Sequence, residues 1–206
     1  MDFRSNKDYY HCREEYPDGL TNLLLPREEF HPFPKCGEQG WEEIDEVTRK
    51  AIIAHAENCM TQPVAYIPAT AYMKYHREGD RSNDGLVGTR RRNMLMLALA
   101  ECIEQKGRFM DALIDHIWVL CEETTWVLPA HQKALETFNP VHIDLFAAET
   151  ALNISEVYVL LKERLEPLIL RRVEEEIRRR AIEEYIKSQA AQNAGTPENK
   201  PDEGNE

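Results

Sequence analysis

The chain has 206 residues, of which 42% are hydrophobic and 30% charged, a composition that excludes a fibrous or wholly disordered protein. Its 37 acidic residues outnumber its 25 Lys and Arg residues, and the formal net charge of -12 argues against affinity for nucleic acid or for an anionic membrane. The sequence has no uninterrupted apolar run of about 18 residues, so we expect no membrane-spanning helix.

The two ends of the chain differ in composition from its middle. Prolines and glycines recur through residues 1–40 and exclude long helices, so we expect an irregular leader there, with its aromatic side chains packed against another surface. Residues 188–206 are small, polar and acidic, and we expect this tail to be disordered, since it has no large apolar side chain to offset its ordering entropy. The folded domain should therefore span residues 41–187.

Helical periodicity dominates this middle part. The spacing of apolar residues and the positions of Pro and Gly predict helices over 42–61, 69–77, 82–107, 108–122, 142–164 and from 167 to about 185. The turn at Gly107 should join two of them as an antiparallel hairpin. In the last helix we expect a buried stripe with one apolar residue every four, from Ile169 to Tyr185. No strand-like alternation competes, so the sequence predicts an all-α fold of antiparallel helical hairpins.

The five cysteines favour free thiols over a disulfide framework. Their number is odd, no pair is separated by only two residues, and Cys59, Cys102 and Cys121 lie within apolar helical patterns. Together with the absence of a secretory signal in residues 1–7, this favours a reducing compartment, and we expect the protein to be cytoplasmic.

The segment 123–141 is long for a loop and carries Trp126 and His131. A Trp ring can form a flat platform for a sugar, and a nearby His can bind hydroxyl groups or transfer a proton. In the alternative interpretation, which residue type and spacing favour, Trp126 fills the core and His131 caps a helix.

Two basic segments and one mixed cluster are candidate binding sites. The triplet Arg90–Arg92 could bind a carboxylate through a guanidinium fork, although pairing with surface carboxylates is the simpler interpretation. The run 171–180 alternates basic and acidic residues and is typical of a solvated, salt-bridged helix face. His142, Asp144 and Glu149 do not share one helix face, so we predict no metal site, and the sequence indicates no cofactor.

The stretch 90–149 resembles the N-terminal helical domain of the heparinase II/III-like polysaccharide lyases, and the resemblance extends over roughly residues 30–187. The matching motifs are Arg91-Arg92 with its Leu-rich continuation, Gly107-Arg108-Phe109, Ile117-Trp118, Cys121-Glu122-Glu123-Thr124-Thr125-Trp126, Pro129-Ala130-His131 and Ile143-Asp144-Leu145-Phe146-Ala147-Ala148-Glu149-Thr150-Ala151. The segments from Ile67 to Thr70 and from Gly79 to Arg81 also fit.

The resemblance implies a partial α/α toroid from an enzyme that cleaves uronate-containing acidic glycans by β-elimination. The family's catalytic Asn, Tyr and His positions lie beyond the last helix of this chain, so no residue is assigned as catalytic. The resemblance therefore implies an inactive portion of a lyase whose C-terminal domains are missing, with Trp126, His131, Arg91 and Tyr66 as candidate glycan-binding residues.

Two other functions stay open. The chain could be a helical scaffold that docks a partner or self-associates as a homo-oligomer through an exposed apolar edge. It could also be a complete enzyme that uses Tyr66, Tyr72 or His131 for proton transfer, although no other residue completes such a site.

Overall fold

The computed structural model describes residues 25–26, 29–132 and 143–187. The predicted disordered tail, most of the leader, Cys12, His142 and part of the 123–141 loop lie outside the described residues. Pro34–Ser188 forms one compact unit, which holds all the elements named below. The described residues before Pro34 belong to a separate unit, in which the Glu29 amide donates to the Pro26 carbonyl over 2.9 Å.

The prediction of an all-α fold is confirmed, because the described residues form helices and no strand. In chain order the α-helices are α1 (Glu46–Thr61), α2 (Ala69–Glu78), α3 (Asp84–Glu104), α4 (Met110–Glu122), α5 (Leu145–Leu161) and α6 (Pro167–Ile177). Short 3-10 turns occur at Trp41–Glu43 and Pro129–His131, and the last helix continues past α6 through a π-helical turn at Arg178–Ile182. Among the described residues, no helix has both the length and the apolar composition needed to cross a bilayer.

Capping side chains account for the helix starts that differ from the predicted ones. Asp45 caps α1 by accepting hydrogen bonds from the amides of Val47 and Thr48, each over 3.0 Å, so the α-helix begins four residues later than predicted. Asp144 caps α5 in the same way and accepts from the Ala147 amide over 2.6 Å. Pro167 occupies the first turn of α6, as its fixed φ favours.

Helix α3 lies at the centre of the unit. It packs against α1, α4 and α5, and α6 packs against α4 and α5. The α3 segment from Met94 to Cys102 is largely buried, and Leu97 and Ala98 have no exposed surface. A smaller apolar cluster of Ile67, Val87 and Leu128 holds the segment before α2 and the 3-10 turn at Pro129–His131 near the start of α3.

The buried stripe of the last helix differs from the predicted one. A residue every four positions advances 400° around the helix, so a stripe at that spacing drifts away from the core by about 40° at each step. The buried stripe instead follows the helical period through Ile169, Val173 and Glu176 to the side chain of Arg180, while Tyr185 is 45% exposed. Two charged residues, Glu176 and Arg180, therefore face the core in place of Ile177 and Ala181 of the predicted stripe.

Candidate functional site: a buried arginine–glutamate cluster beside an open cleft

Two consecutive arginines of α3 converge on one glutamate inside the protein. Arg91 lies on the same helix face as Val87 and Met94, which is the core face, and Glu123 is the residue directly after α4. The Arg91 guanidinium donates to both carboxylate oxygens of Glu123, over 2.9 Å and 2.6 Å, and the Arg90 Nη1 donates to the same carboxylate over 2.8 Å. The side chains of all three residues are at most 9% exposed. We call Arg90, Arg91 and Glu123 the arginine–glutamate cluster.

The remaining donors of this cluster are also satisfied. Arg90 donates through Nε, over 2.9 Å, and Nη2 to the carbonyl of Ala65, and Arg91 donates to the carbonyl of Val87 and the hydroxyl of Thr150. The cluster therefore ties together α3, the end of α4, α5 and the segment before α2. Pairing of these arginines with surface carboxylates, as the sequence suggested, is wrong, since a residue on the core face of a central helix requires a buried counter-charge.

A second buried ion pair joins the last helix to the same region. Arg180 pairs with Glu176 and donates to the carbonyls of Cys121, over 3.1 Å, and Glu123. Burial lowers the pKa of Arg180, and the pair with Glu176 partly opposes that effect. The prediction of a fully solvated face over residues 171–180 is therefore wrong, because the side chains of Arg180 and Glu176 face the core.

An open cleft of about 300 Å³ lies beside the cluster. Its wall is formed by the segment before α2, α2, α3 and the end of α4, and its lining includes Tyr66, Tyr72, Arg90, Glu122 and Glu123. Tyr66 lines the cleft and is 82% exposed. Burial, together with the charge of Glu123, raises the pKa of Tyr72 to about 12, so its hydroxyl keeps its proton at neutral pH.

The structure separates the four residues that the sequence selected as glycan-binding. Tyr66 lines the cleft, while Arg91 is held in the arginine–glutamate cluster. Trp126 is only 2% exposed, its indole N–H donates to the Leu120 carbonyl over 2.9 Å, and the Arg180 guanidinium carbon lies 5.0 Å from its ring centroid. Trp126 therefore fills the core, as in the alternative interpretation of the sequence, and is not an exposed platform for a sugar.

His131 is held by the residue that caps α5. Its Nδ1 lies 2.6 Å from Oδ2 of Asp144, and the same oxygen accepts from the Leu128 amide over 3.1 Å. Asp144 thus fixes the 3-10 turn to the start of α5 and is not available as a metal ligand. Glu149 is exposed on α5, and the described part of the chain contains no group of three potential metal ligands.

Sequence reasoning missed the central role of Glu123 and the buried Glu101. Glu101 has no exposed surface, and its Oε1 accepts from the Gly107 amide over 2.7 Å and from Arg164 over 2.6 Å. A signal for both was present: a charge on the apolar face of a buried helix, as at Arg91 and Glu101, has to find a buried partner. The identity of that partner could not be deduced from the helix pattern.

Comparisons with known proteins do not identify a function for this chain. No protein-family model matches the chain, and no curated protein matches its sequence. Chemically, the cleft offers an exposed aromatic side chain, the exposed carboxylate of Glu122 as a hydrogen-bond acceptor and a guanidinium that already pairs with Glu123. Such a set can bind a ligand rich in hydroxyl groups.

Proposed function

We propose that this chain is the N-terminal helical portion of a heparinase II/III-like polysaccharide lyase, a partial α/α toroid that binds glycan in the cleft beside Tyr66 and does not cleave it alone. The observation that supports the proposal most is the exposed Tyr66 ring beside a cleft of about 300 Å³. This volume is at the lower end of the usual range for small-ligand sites. The assignment to an acidic glycan rests on the sequence resemblance.

The lining of the cleft suits the faces of a sugar ring. The Tyr66 ring supplies a flat apolar surface for the C–H face, as aromatic side chains do at wet interfaces. The exposed carboxylate of Glu122 can accept hydrogen bonds from hydroxyl groups. Arg90 contributes less charge than an isolated arginine would, because it is paired with Glu123.

The same contacts argue that the chain alone is not catalytic. β-Elimination needs a group that neutralises the substrate carboxylate and a base that removes the adjacent C–H proton. Arg90 and Arg91 are buried and held by Glu123 and by neighbouring acceptors, so neither guanidinium can turn to bind a substrate carboxylate without breaking those hydrogen bonds. Tyr72, with a pKa of about 12, stays protonated and is a poor base at neutral pH.

Glycan binding is tested by titrating the full chain with heparan sulfate, heparin, hyaluronan, chondroitin and alginate oligosaccharides in a calorimeter. We expect one of these glycans to bind, and Tyr66→Ala to weaken its binding about tenfold, since stacking on one ring contributes about 1–2 kcal/mol. Val47→Ala is the matched control, because Val47 is 79% exposed on α1, away from the cleft lining. If no glycan binds, or if Tyr66→Ala binds as the wild type does, the proposal fails.

Two further measurements separate the parts of the proposal. Trp126→Phe should leave glycan binding unchanged, because the Trp126 ring is buried. If this variant loses binding and Tyr66→Ala does not, the sugar stacks on Trp126 and not on Tyr66. Ultraviolet absorbance of the unsaturated uronate product should stay flat with every glycan. Growth of that absorbance would show that the chain is a complete lyase.

A further inference from the structure

Helices α5 and α6 expose apolar residues on the side opposite the core. On α5, Leu145, Leu152 and Val159 are 86%, 58% and 41% exposed, whereas Ile154 and Val157 on the other face are completely buried. On α6 and its continuation, Leu168 and Ile182 are 54% and 51% exposed.

The three residues of α5 recur at seven-residue intervals, whereas Leu168 and Ile182 are 14 residues apart, with Glu175 midway between them. Residues seven apart lie within about 20° of each other around an α-helix, so the α5 residues form one straight seam, whereas the π-helical turn at Arg178–Ile182 rotates Ile182 away from the line of Leu168. Each seam is about 21 Å long, from Leu145 to Val159 and from Leu168 to Ile182.

The net charges of the two seams have opposite signs, although the α6 seam also carries Glu175 between its two arginines. Glu149 and Glu156 lie between the apolar residues of α5, and Arg171 and Arg178 lie between those of α6. None of these four residues makes an ion pair with another described residue, whereas Arg179 and Arg180 nearby both pair with Glu176. The unpaired acidic seam and the unpaired basic seam therefore complement each other.

We propose that the α5–α6 face is the interface of a two-fold symmetric homodimer, in which α5 of each copy packs antiparallel against α6 of the other. This inference does not depend on glycan binding. A two-fold axis parallel to the helices keeps corresponding residues of the two copies at the same level along the helix axes. It places the α5 seam of one copy opposite the α6 seam of its partner, so every contact occurs twice.

The register of the seams is compatible with this arrangement. Val159 and Leu168 flank the turn that joins α5 to α6, and Leu145 and Ile182 lie at the far ends of the hairpin, so apolar residues fall at equal heights. The antiparallel alignment then pairs Leu145 with Ile182, Glu149 with Arg178, Leu152 with Glu175, Glu156 with Arg171 and Val159 with Leu168. Both acidic residues meet an arginine in the same register that pairs the apolar ends. Glu175, whose charge is flanked by Arg171 and Arg178, meets Leu152.

The size of the face sets the expected affinity. Two helices of about 10 Å diameter and about 21 Å length present about 400 Å² per copy, which is roughly half of a standard interface. We therefore expect a dimer that dissociates in the micromolar range, with the charged pairs fixing its register more than its strength.

The test is sedimentation equilibrium of the full chain between about 1 and 100 µM, a range that brackets the expected dissociation constant. Charge reversal gives two variants, Glu149→Arg/Glu156→Arg and Arg171→Glu/Arg178→Glu. Each should be monomeric at concentrations where the wild type dimerises, because like charges then face each other in both halves of the interface. Glu43→Arg/Glu78→Arg, which makes the same change in net charge as the first variant but on other exposed positions, should dimerise as the wild type does.

The decisive sample is an equimolar mixture of the two reversed variants. In a mixed dimer one half of the interface carries both reversals and the other half carries neither, so both halves are complementary and dimerisation should return. A wild type that stays monomeric up to about 100 µM overturns the proposal. So do a wild-type dimer that either reversal leaves intact, an assembly larger than a dimer, and a mixture that stays monomeric while circular dichroism shows both variants folded.

Discussion

Arg91 and Glu123 form a two-pronged ion pair with separations of 2.9 Å and 2.6 Å, although they lie 32 residues apart in the sequence. Their side chains are 4% and 2% exposed, so the pair is screened little by solvent. Arg90 adds a second positive charge to the same carboxylate. Removing the carboxylate would leave two buried guanidinium groups without a counter-charge.

The first prediction concerns that carboxylate. Glu123→Gln keeps the volume of the side chain but removes its charge, and we expect the free energy of unfolding to fall by about 3–5 kcal/mol, the usual cost of an uncompensated buried charge. Urea denaturation at neutral pH measures this change. The neighbouring Glu122→Gln is the control, because Glu122 is exposed, and it should change stability by less than about 1 kcal/mol. Equal effects of the two substitutions would contradict the burial argument.

The second prediction concerns the turn between α3 and α4. Gly107 has a φ of +76°, and a Cβ added there would meet no atom within 4 Å. The cost of a side chain is therefore conformational and not steric, and Gly107→Ala should lower stability by about 1–2 kcal/mol. Gly107→Asn should lower it less, because Asn adopts this left-handed conformation more readily than Ala.

Thermal unfolding of the two Gly107 variants provides the test. The order wild type, Asn, Ala is the expected one, with the Glu101 carboxylate still accepting the amide of residue 107 in each case. Equal losses for Ala and Asn would mean that contacts of the new side chain, and not its φ preference, decide the outcome.

The third prediction concerns thiol reactivity. Burial raises the pKa of Cys121 to about 11 and raises the pKa of Cys102 further, and both side chains are buried. Cys36 is partly exposed, and burial raises its pKa as well. In the native protein at pH 8, iodoacetamide should therefore modify Cys36 before Cys102 or Cys121, since only an accessible thiolate reacts.

Peptide mapping by mass spectrometry after short exposures gives the order of modification. In denaturant the difference between these cysteines should disappear, which controls for local sequence effects. Modification of Cys121 ahead of Cys36 in the folded protein would show that α4 opens more readily than its burial indicates.

Much of the fold could be predicted from the sequence because its signals are local. The helical period, the turn at Gly107 and the helix start at Pro167 each depend on a few neighbouring residues. The register of the last helix could not be read from its apolar residues alone, because two of its buried positions are occupied by Glu176 and Arg180.

The candidate site was harder to predict because its parts come from distant segments. The sequence shows that Arg91 lies on the face of Val87 and Met94, but it does not show that Glu123, directly after α4, lies within reach of Arg91. The role of Trp126 also depends on a distant residue, Arg180, which covers its ring. The Tyr66 position was selected from sequence, whereas the cleft beside it exists only in the assembled fold.

The last prediction concerns acid stability and His116. This side chain is 4% exposed, and its Nδ1 lies 2.8 Å from the Ala112 carbonyl oxygen, to which a neutral ring can donate. Burial lowers the pKa of His116, and the positive charge of Arg90 lowers it further, while the Ala112 hydrogen bond and Asp115 oppose the shift. The folded protein therefore binds the His116 proton less readily than the unfolded chain does.

It follows that the contribution of a neutral His116 to stability is complete above the unfolded pKa of about 6.5 and is lost as the pH falls from there to the lower pKa of the folded state. His116→Leu removes this titration, so the stability of the wild type relative to the variant should decrease as the pH falls through that window. Urea denaturation of both proteins at closely spaced pH values below 7 measures the difference. A difference that stays constant, or that grows as the pH falls, would show that burial does not disfavour the charged ring at this position.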